Sequence, residues 1–134
     1  MKYLYDEVLR RFPEARTKFN FSESDVELPY NVMHDLADWL QRLPPEALTP
    51  ELVDRLVSFT RWCEQQPRGK DAGDDVLTIL RVGFYESLFD SEVTRALLPR
   101  FIPRDEFIAS ADDFRQWVGA ENYEKARKCY ESAA

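Results

Sequence analysis

The chain has 134 residues, of which 44% are hydrophobic and 13% aromatic, a size that favours one domain with one hydrophobic core. Its 18 basic and 25 acidic residues give a net charge of −7. This charge argues against a nucleic-acid partner, because proteins that bind phosphate backbones usually carry a concentrated basic face. A partner protein with a basic surface fits the sign of the charge better.

The sequence also indicates a cellular compartment. The start, MKYLYDEVLRR, contains Asp6 and Glu7 before any apolar stretch of signal-peptide length, and no run approaches the roughly 20 apolar residues of a membrane span. We therefore expect a cytoplasmic protein with no membrane partner. Cys63 and Cys129 lie far apart in a cysteine-poor sequence, so we expect two reduced, mostly packed thiols and no disulfide framework.

Helical periodicity dominates from the first residues onward. An apolar stripe at spacings i, i+3, i+4 and i+7 predicts a first helix of about three turns that ends at Pro13, with a short further turn over residues 14–18. The stripe consists of Tyr5, Val8, Leu9 and Phe12. The next stretch, NFSESDVE, is polar and predicts a loop over residues 20–27.

Residues 28–43, LPYNVMHDLADWLQRL, predict an amphipathic helix. Pro29 suits its first turn, where the missing N–H would be unpaired in any case, and Pro44 and Pro45 end it. The inward side chains are Val32, Met33, Leu36, Leu40 and Leu43, with Trp39 at the boundary. The outer face carries Asn31, His34, Asp35, Asp38 and Arg42.

A third long helix follows. Thr49 is a candidate N-cap and Pro50 sits at the first helical position, with Glu51 near the positive end of the helix dipole. The inward stripe is Leu52, Leu56, Phe59 and Cys63. The stretch PRGKDAGD, residues 67–74, then predicts a surface loop.

The helix that contains RVGFYESLFD, residues 81–90, is apolar on two sides, which is typical of a central helix. Asp74 or Asp75 is expected to cap it. One side carries Leu77, Leu80, Phe84 and Leu88, and the other carries Val82, Tyr85 and Phe89. Gly83 costs about 1 kcal/mol relative to alanine inside a helix, so its presence predicts the close approach of a neighbouring helix.

The C-terminal third predicts three more helices. Asp90 or Ser91 can cap the first of them, which ends at Pro99. After Pro103, the SADD segment at 110–113 begins the second like a capping box, with Asp113 in place of the usual Glu or Gln. Gly119 is expected to end it, and a last helix runs from about residue 121 to 130. No strand alternation occurs, so we predict an all-α fold of six to eight helices, either an antiparallel bundle or a short α-solenoid-like stack.

Acidic residues cluster in two stretches. Between Lys18 and Arg42 there are five acids and no lysine or arginine, and from Asp71 to Glu92 six acids accompany only Arg81. Such stretches either form solvated surface or attract a cationic partner. Glu86 and Asp90 lie one turn apart, where like charges repel unless a cation is near. That cation is either Arg81 or Arg95 of the same chain, or a group supplied by a partner.

No catalytic or metal-binding pattern emerges, and we expect a non-enzymatic protein without a cofactor. His34, the only histidine, lies one turn from Asp38, but transition-metal sites generally need several His or Cys ligands. Cys63 falls on a buried stripe and is a poor candidate nucleophile. A phosphate-binding Gly-rich loop and a GxSxG motif are absent. A small enzyme would require a pocket in which His34 meets a thiol or a carboxylate of perturbed pKa.

At LPYNVMHDLADWL and RVGFYESL the sequence resembles a family of short, largely uncharacterised bacterial helical proteins, which have a Leu-Pro-Tyr helix start followed by a Gly-Phe-x-Glu helix. The matching residues are Leu28, Pro29 and Tyr30, then Gly83, Phe84 and Glu86. The likeness covers about residues 5–100. Such proteins resemble immunity proteins encoded beside secreted toxins, which implies a cognate toxin as the partner.

These observations lead to one hypothesis and an alternative. The hypothesis is an immunity-type protein that neutralises a toxin through an acidic and aromatic helical surface, with aromatic anchors and carboxylates that pair with basic residues of the toxin. The expected contacts are Tyr30, His34, Asp35, Asp38, Glu86 and Asp90. The alternative is a non-catalytic helical adaptor or regulatory module. The sequence leaves the oligomeric state open.

Overall fold

A computed structural model describes residues 2–18 and 26–132 of the chain. These residues are predominantly helical and contain no strand, which confirms the all-α prediction. The loop predicted over residues 20–27 lies largely outside them.

The helices follow one another with short connections. A 3₁₀ helix over Pro45–Ala47 lies between α3 and α4, and a π-helix over Leu80–Tyr85 joins α5 to α6 without a break. The α-helices are α1 (Lys2–Arg11), α2 (Ala15–Lys18), α3 (Pro29–Arg42), α4 (Pro50–Glu64), α5 (Val76–Ile79), α6 (Glu86–Leu88), α7 (Glu92–Arg95), α8 (Leu98–Phe101), α9 (Arg104–Ala109), α10 (Ala111–Val118) and α11 (Ala120–Ser132).

The helix starts agree well with the capping residues in the sequence. Pro29 lies in the first turn of α3, and the Thr49 hydroxyl at the start of α4 accepts a hydrogen bond from the Leu52 N–H at 3.2 Å. Of the two aspartates considered for the central helix, Asp75 is the cap, accepting from the Thr78 N–H at 3.2 Å. Ser91 caps α7 in the same way.

Some predicted helix ends and one predicted side-chain position are wrong. The helix that begins after Ser91 ends at Arg95, and Pro99 lies in the first turn of α8 because proline is well tolerated there. Ser110 precedes α10, but its side chain makes no capping hydrogen bond. Trp39 is only 5% exposed and belongs to the core.

The hydrophobic core runs from Leu4 of α1 to Tyr130 of α11 as one cluster. At its centre, α3 packs along the continuous helix formed by α5, the π-helix and α6. Gly83 makes this approach possible: a Cβ at that position would lie 2.8 Å from Met33 Cβ, well inside van der Waals contact. The close approach predicted from the glycine is confirmed.

The helices pack as a bundle. α4 contacts α8, α6 contacts α10, and α7 contacts α11. In a solenoid each repeat contacts only its sequence neighbours, so these long-range contacts do not fit a linear stack. Across residues 2–18 and 26–132, no helix has both the length and the apolar character that a bilayer crossing requires.

Candidate functional site

A cleft of about 370 Å³ opens between α3, the π-helix with α6, and the end of α10. We call it the acidic cleft. Its lining residues are His34, Val82, Glu86, Ser87, Asp90, Trp117 and Val118. Three of the six side chains predicted to contact a partner, those of His34, Glu86 and Asp90, therefore meet in one place.

The π-helix places Glu86 at the cleft. The Glu86 N–H donates to the Arg81 carbonyl, five residues earlier, and this is the hydrogen bond that defines a π turn. A π turn holds more residues than an α turn, so the side chains that follow it face a different direction from those of an uninterrupted α-helix. Gln41 of α3 holds the segment in place by donating from Nε2 to the Ser87 carbonyl at 2.7 Å.

The Glu86 carboxylate is poorly solvated. Its Oε2 atom is buried and has no hydrogen-bond partner among the described residues. Removal from water disfavours the ionised form, and burial raises the pKa of Glu86 to about 7. Near neutral pH this carboxyl group therefore exchanges between its protonated and ionised forms, whereas an exposed glutamate would be fully ionised.

The two arginines expected as internal partners of Glu86 and Asp90 bind elsewhere. Arg81 donates to Glu106 Oε1 of α9 at 2.8 Å, and Arg95 donates to the Phe89 carbonyl at 2.8 Å. The sequence left open whether Glu86 and Asp90 pair with Arg81 or Arg95 or with a cation from a partner. In the structure neither arginine pairs with them. Asp90 is exposed in the turn that follows α6.

Trp117 forms part of the cleft wall and was missed by the sequence analysis. Its indole is 43% exposed. Phe114, one turn earlier in α10, packs on Phe89 with ring centroids 5.3 Å apart, and this contact holds α10 beside α6. The only sequence signal was an aromatic residue at the end of a short helix before Gly119, which does not reveal which helices it joins.

The other three predicted contact residues do not line the acidic cleft. Tyr30 packs near Gly83, and its hydroxyl donates to the Ala72 carbonyl at 2.8 Å. Asp38 pairs with Arg42 on the next turn of α3, with 2.9 Å between Oδ2 and Nε. Asp35 is half-buried on α3. The predicted surface is thus divided between the cleft and a part of α3 outside it.

Asp75 shows that sequence clustering of acids does not guarantee an acidic surface. It is 3% exposed and accepts hydrogen bonds from Arg68 at 2.8 and 2.9 Å, from the Gly69 N–H and from Thr78. These donors, Arg68 first, hold the pKa of Asp75 well below its usual range. Its charge is used inside the protein to fix the loop that precedes α5.

A second cleft, of about 340 Å³, lies between α1 and α4 and provides a contrast. Arg11 pairs with Glu7 at 2.5 Å and donates to the Ser58 hydroxyl, while Arg55 pairs with Glu14 at 2.9 Å. Asp54 pairs with Arg100 at 3.2 Å. Arg11, Arg55 and Asp54 in this second cleft each have an oppositely charged partner, although Arg55 Nε makes no hydrogen bond, whereas neither Glu86 nor Asp90 pairs with an arginine or lysine among the described residues.

Within the part of the chain that the structure describes, no group of three or more His, Cys, Asp or Glu side chains is positioned to hold a metal ion. Cys63 is fully buried in α4, and burial raises the pKa of its thiol, which disfavours the reactive thiolate. His34 does share the cleft with Glu86, although no hydrogen bond joins them in the described structure.

Comparison of the chain with known protein families, curated proteins and solved structures found no match. What bears on function is therefore the chemistry of the acidic cleft itself. It combines two carboxylates that lack an internal cation, an exposed indole and an imidazole in a recess bordered by two valines. This combination suits the binding of a positively charged group.

Proposed function

We propose that this chain is a cytoplasmic immunity-type protein that binds and neutralises a cognate bacterial toxin, and that the acidic cleft is the centre of the contact surface. The observation that carries the proposal is the state of Glu86 and Asp90. Their carboxylates share one recess, and the arginines nearest to them in sequence are bound to other groups.

The contrast with the rest of the molecule supports a binding role. Several carboxylates outside the cleft are matched to arginines: Glu7 to Arg10 and Arg11, Glu64 to Arg61, and Glu124 to Arg127. Exposed pairs of this kind contribute only about 0–1 kcal/mol each, but they show that arginine is available to offset acids. An acidic recess left without arginine is suited to a cation from another molecule, and a net charge of −7 favours its approach.

Trp117 adds the second property of a protein-binding site. Interfaces are enriched in tryptophan, and the residues that dominate binding energy are often aromatic side chains beside desolvated polar groups. An indole that is 43% exposed at the wall of a charged cleft fits that pattern. His34 on the opposite helix extends the contact area towards the outer face of α3, where Asp35 and Asp38 lie.

The test is protection of growth. The protein is co-expressed with the product of the adjacent gene, and cell survival and co-purification are measured. We expect cell survival and co-purification with the unchanged chain, and a marked loss of survival and of co-purification with Asp90→Lys. Asp112→Lys is the matched control, because Asp112 is another exposed aspartate, on α10, that does not line the cleft. A neighbouring gene that encodes no toxin, or equal protection by both variants, would contradict the proposal.

The alternative, a helical adaptor or regulatory module without a toxin, uses the same surface. It predicts co-purification of another protein without growth protection, so the survival assay separates the two. Here too the binding surface is the acidic cleft, and Asp90→Lys is expected to release the partner.

One observation favours a third candidate, a small enzyme. His34 and a carboxyl group of raised pKa do share a cleft, which is the condition that acid–base catalysis would require. A catalytic pair also needs a hydrogen bond, direct or through the substrate, and the described residues show no direct one. If His34→Ala leaves growth protection intact while Asp90→Lys abolishes it, binding and not proton transfer is the function of the cleft.

A further inference from the structure

We infer that the acidic cleft receives one aliphatic cation, a lysine or arginine side chain of the bound protein, whose charged end meets the Glu86 carboxylate and whose alkyl stem lies between Val82 and Val118. This inference rests on the proposed function and specifies the chemistry of the partner at the same site.

The first step concerns Glu86, which lacks both a hydrogen-bond donor at Oε2 and a countercharge. A carboxylate whose buried oxygen lacks a donor is costly to ionise, and a cation that contacts this carboxylate from the cleft supplies the missing countercharge. No other side chain of the cleft donates a hydrogen bond to Glu86 Oε2. Asp90 carries the same charge, and the Ser87 hydroxyl already donates to the Gly83 carbonyl at 3.2 Å.

The second step is the shape of the recess. Small-molecule pockets occupy about 300–1,000 Å³, and the acidic cleft, with about 370 Å³, is at the low end of that range. It is bordered by Val82, Val118 and Trp117. Lysine and arginine have apolar stems that favour such walls while the charged end reaches a polar group, and a cation near an indole gains a further attraction.

The third step is the protonation state. Burial raises the pKa of Glu86 to about 7, so a cation that requires the ionised form must displace a proton. Other titratable or charged groups near Glu86 are His34 and Tyr30 on α3 and Asp90 in the turn after α6. Trp117 and Val118, which face the cleft from α10, carry no charge. Binding is therefore expected to strengthen as the pH rises through 7 and to weaken below it.

The experiment uses the full chain and small probes. n-Butylammonium, n-butylguanidinium and neutral 1-butanol are titrated into isotopically labelled protein, and the Glu86 side-chain carboxyl carbon and the Trp117 indole N–H are followed by NMR. We expect both cations to shift these two resonances and to lower the apparent pKa of Glu86, and butanol to do neither. The cation that binds more tightly indicates whether the partner contributes lysine or arginine.

Two variants make the result specific. Glu86→Gln keeps the shape of the side chain and is expected to weaken cation binding at pH 8 by at least about tenfold, the loss typical of a hydrogen bond to a charged group. Asp112→Asn, which removes a carboxylate outside the cleft, is expected to leave it unchanged. Equal binding of butanol and the cations, or equal binding to wild type and Glu86→Gln, would overturn the inference.

The outcome is separable from that of the proposed function. Growth protection without cation binding in the cleft would leave an immunity protein with a different contact chemistry. Cation binding without a toxin partner would leave a cation-binding cleft in a protein of another function.

Discussion

Gly83 of the π-helix lies directly against Met33 of α3, and a methyl group at position 83 would come within 2.8 Å of Met33 Cβ. Because Met33 Cβ is fixed to the backbone of α3, the contact can be relieved only by moving one helix. Gly83→Ala is therefore expected to lower the free energy of unfolding by about 1–3 kcal/mol, although alanine is the better helix former. Urea unfolding followed by circular dichroism measures the change.

Gly73→Ala is the matched control for this substitution. Gly73 lies in the loop before α5, where an added Cβ meets only the side chain of Asp71, at 3.2 Å. That carboxylate can move, so a much smaller change is expected. Met33→Ala should not rescue Gly83→Ala, since alanine retains the Cβ that causes the clash. A Gly83→Ala variant as stable as the wild type would show that α3 is not held this close.

The hydrogen bonds of Asp75 predict that the free energy of unfolding decreases at acid pH. Its pKa is held well below the usual range in the folded protein, first by Arg68 and then by Thr78 and Gly69. An aspartate whose pKa is lowered on folding stabilises the fold above its unfolded pKa of about 4, and this stabilisation is lost as the pH falls further. Asp75→Asn should lower the free energy of unfolding by about 1–3 kcal/mol at pH 7.

The difference between wild type and Asp75→Asn should shrink below pH 4, and urea titrations at pH 7, 5 and 3 would show it. Asp112→Asn is the control, because Asp112 is exposed and its nearest partner, Arg115, is 3.5 Å away. A constant difference across the three pH values would mean that the negative charge of Asp75 is not what stabilises the loop.

The two thiols should differ in reactivity. Cys63 is fully buried and burial raises the pKa of its thiol, whereas Cys129 on α11 is partly exposed. A thiol-specific reagent at pH 8 is expected to label one cysteine quickly and the second only at the rate at which the protein unfolds. Cys129→Ser should remove the fast phase. A fast phase that persists in this variant would place Cys63 at the surface.

Much of the fold follows from local sequence signals. Thr49 and Asp75 each begin a helix because a short polar side chain satisfies an N–H that the helix leaves free. Gly83 indicates a close helix contact because glycine inside a helix needs a packing reason. Pro99 was misassigned for a related cause: proline both ends helices and suits their first turn, and here it lies in the first turn of α8.

The site was predicted only in part, because it depends on non-local contacts. Glu86 and Asp90 were identified from their charge and spacing, and the structure brings His34 to the same cleft. Arg81 pairs with Glu106, 25 residues later in the chain, and this leaves Glu86 without a countercharge. No local sequence pattern predicts that pairing. The π turn changes the direction of the side chains after Tyr85, whereas a wheel drawn at 100° per residue assumes an unbroken α-helix.

Asp38 and Asp90 should contribute differently to binding of the proposed partner. Asp38 is already paired with Arg42 at 2.9 Å, whereas Asp90 lies in the acidic cleft. Asp38→Asn and Asp90→Asn each remove one negative charge, so both should slow association slightly at low salt. Only Asp90→Asn should speed dissociation, by several-fold, because charges in direct contact act mainly on that rate. Biolayer interferometry at two salt concentrations separates the rates, and equal dissociation rates would place the interface elsewhere.

Glu86 predicts a pH dependence of stability with the opposite sign to that of Asp75. Burial raises its pKa to about 7 in the folded protein, whereas an unfolded glutamate titrates near pH 4.3. Between these values the folded state holds a proton that the unfolded state has released, so the free energy of unfolding falls as the pH rises from about 4 to 7 and is constant above.

Glu86→Gln removes the cost of burying the ionised carboxylate and should stabilise the protein at pH 8 by about 1 kcal/mol. This is less than the pKa displacement alone implies, because the cleft is open to water. The gain should vanish at pH 4, and urea unfolding at both pH values measures it. Asp90→Asn, an exposed neighbour in the same cleft, is the control and should show little change. A Glu86→Gln variant no more stable than wild type at pH 8 would mean that water or a neighbouring group solvates Glu86 Oε2.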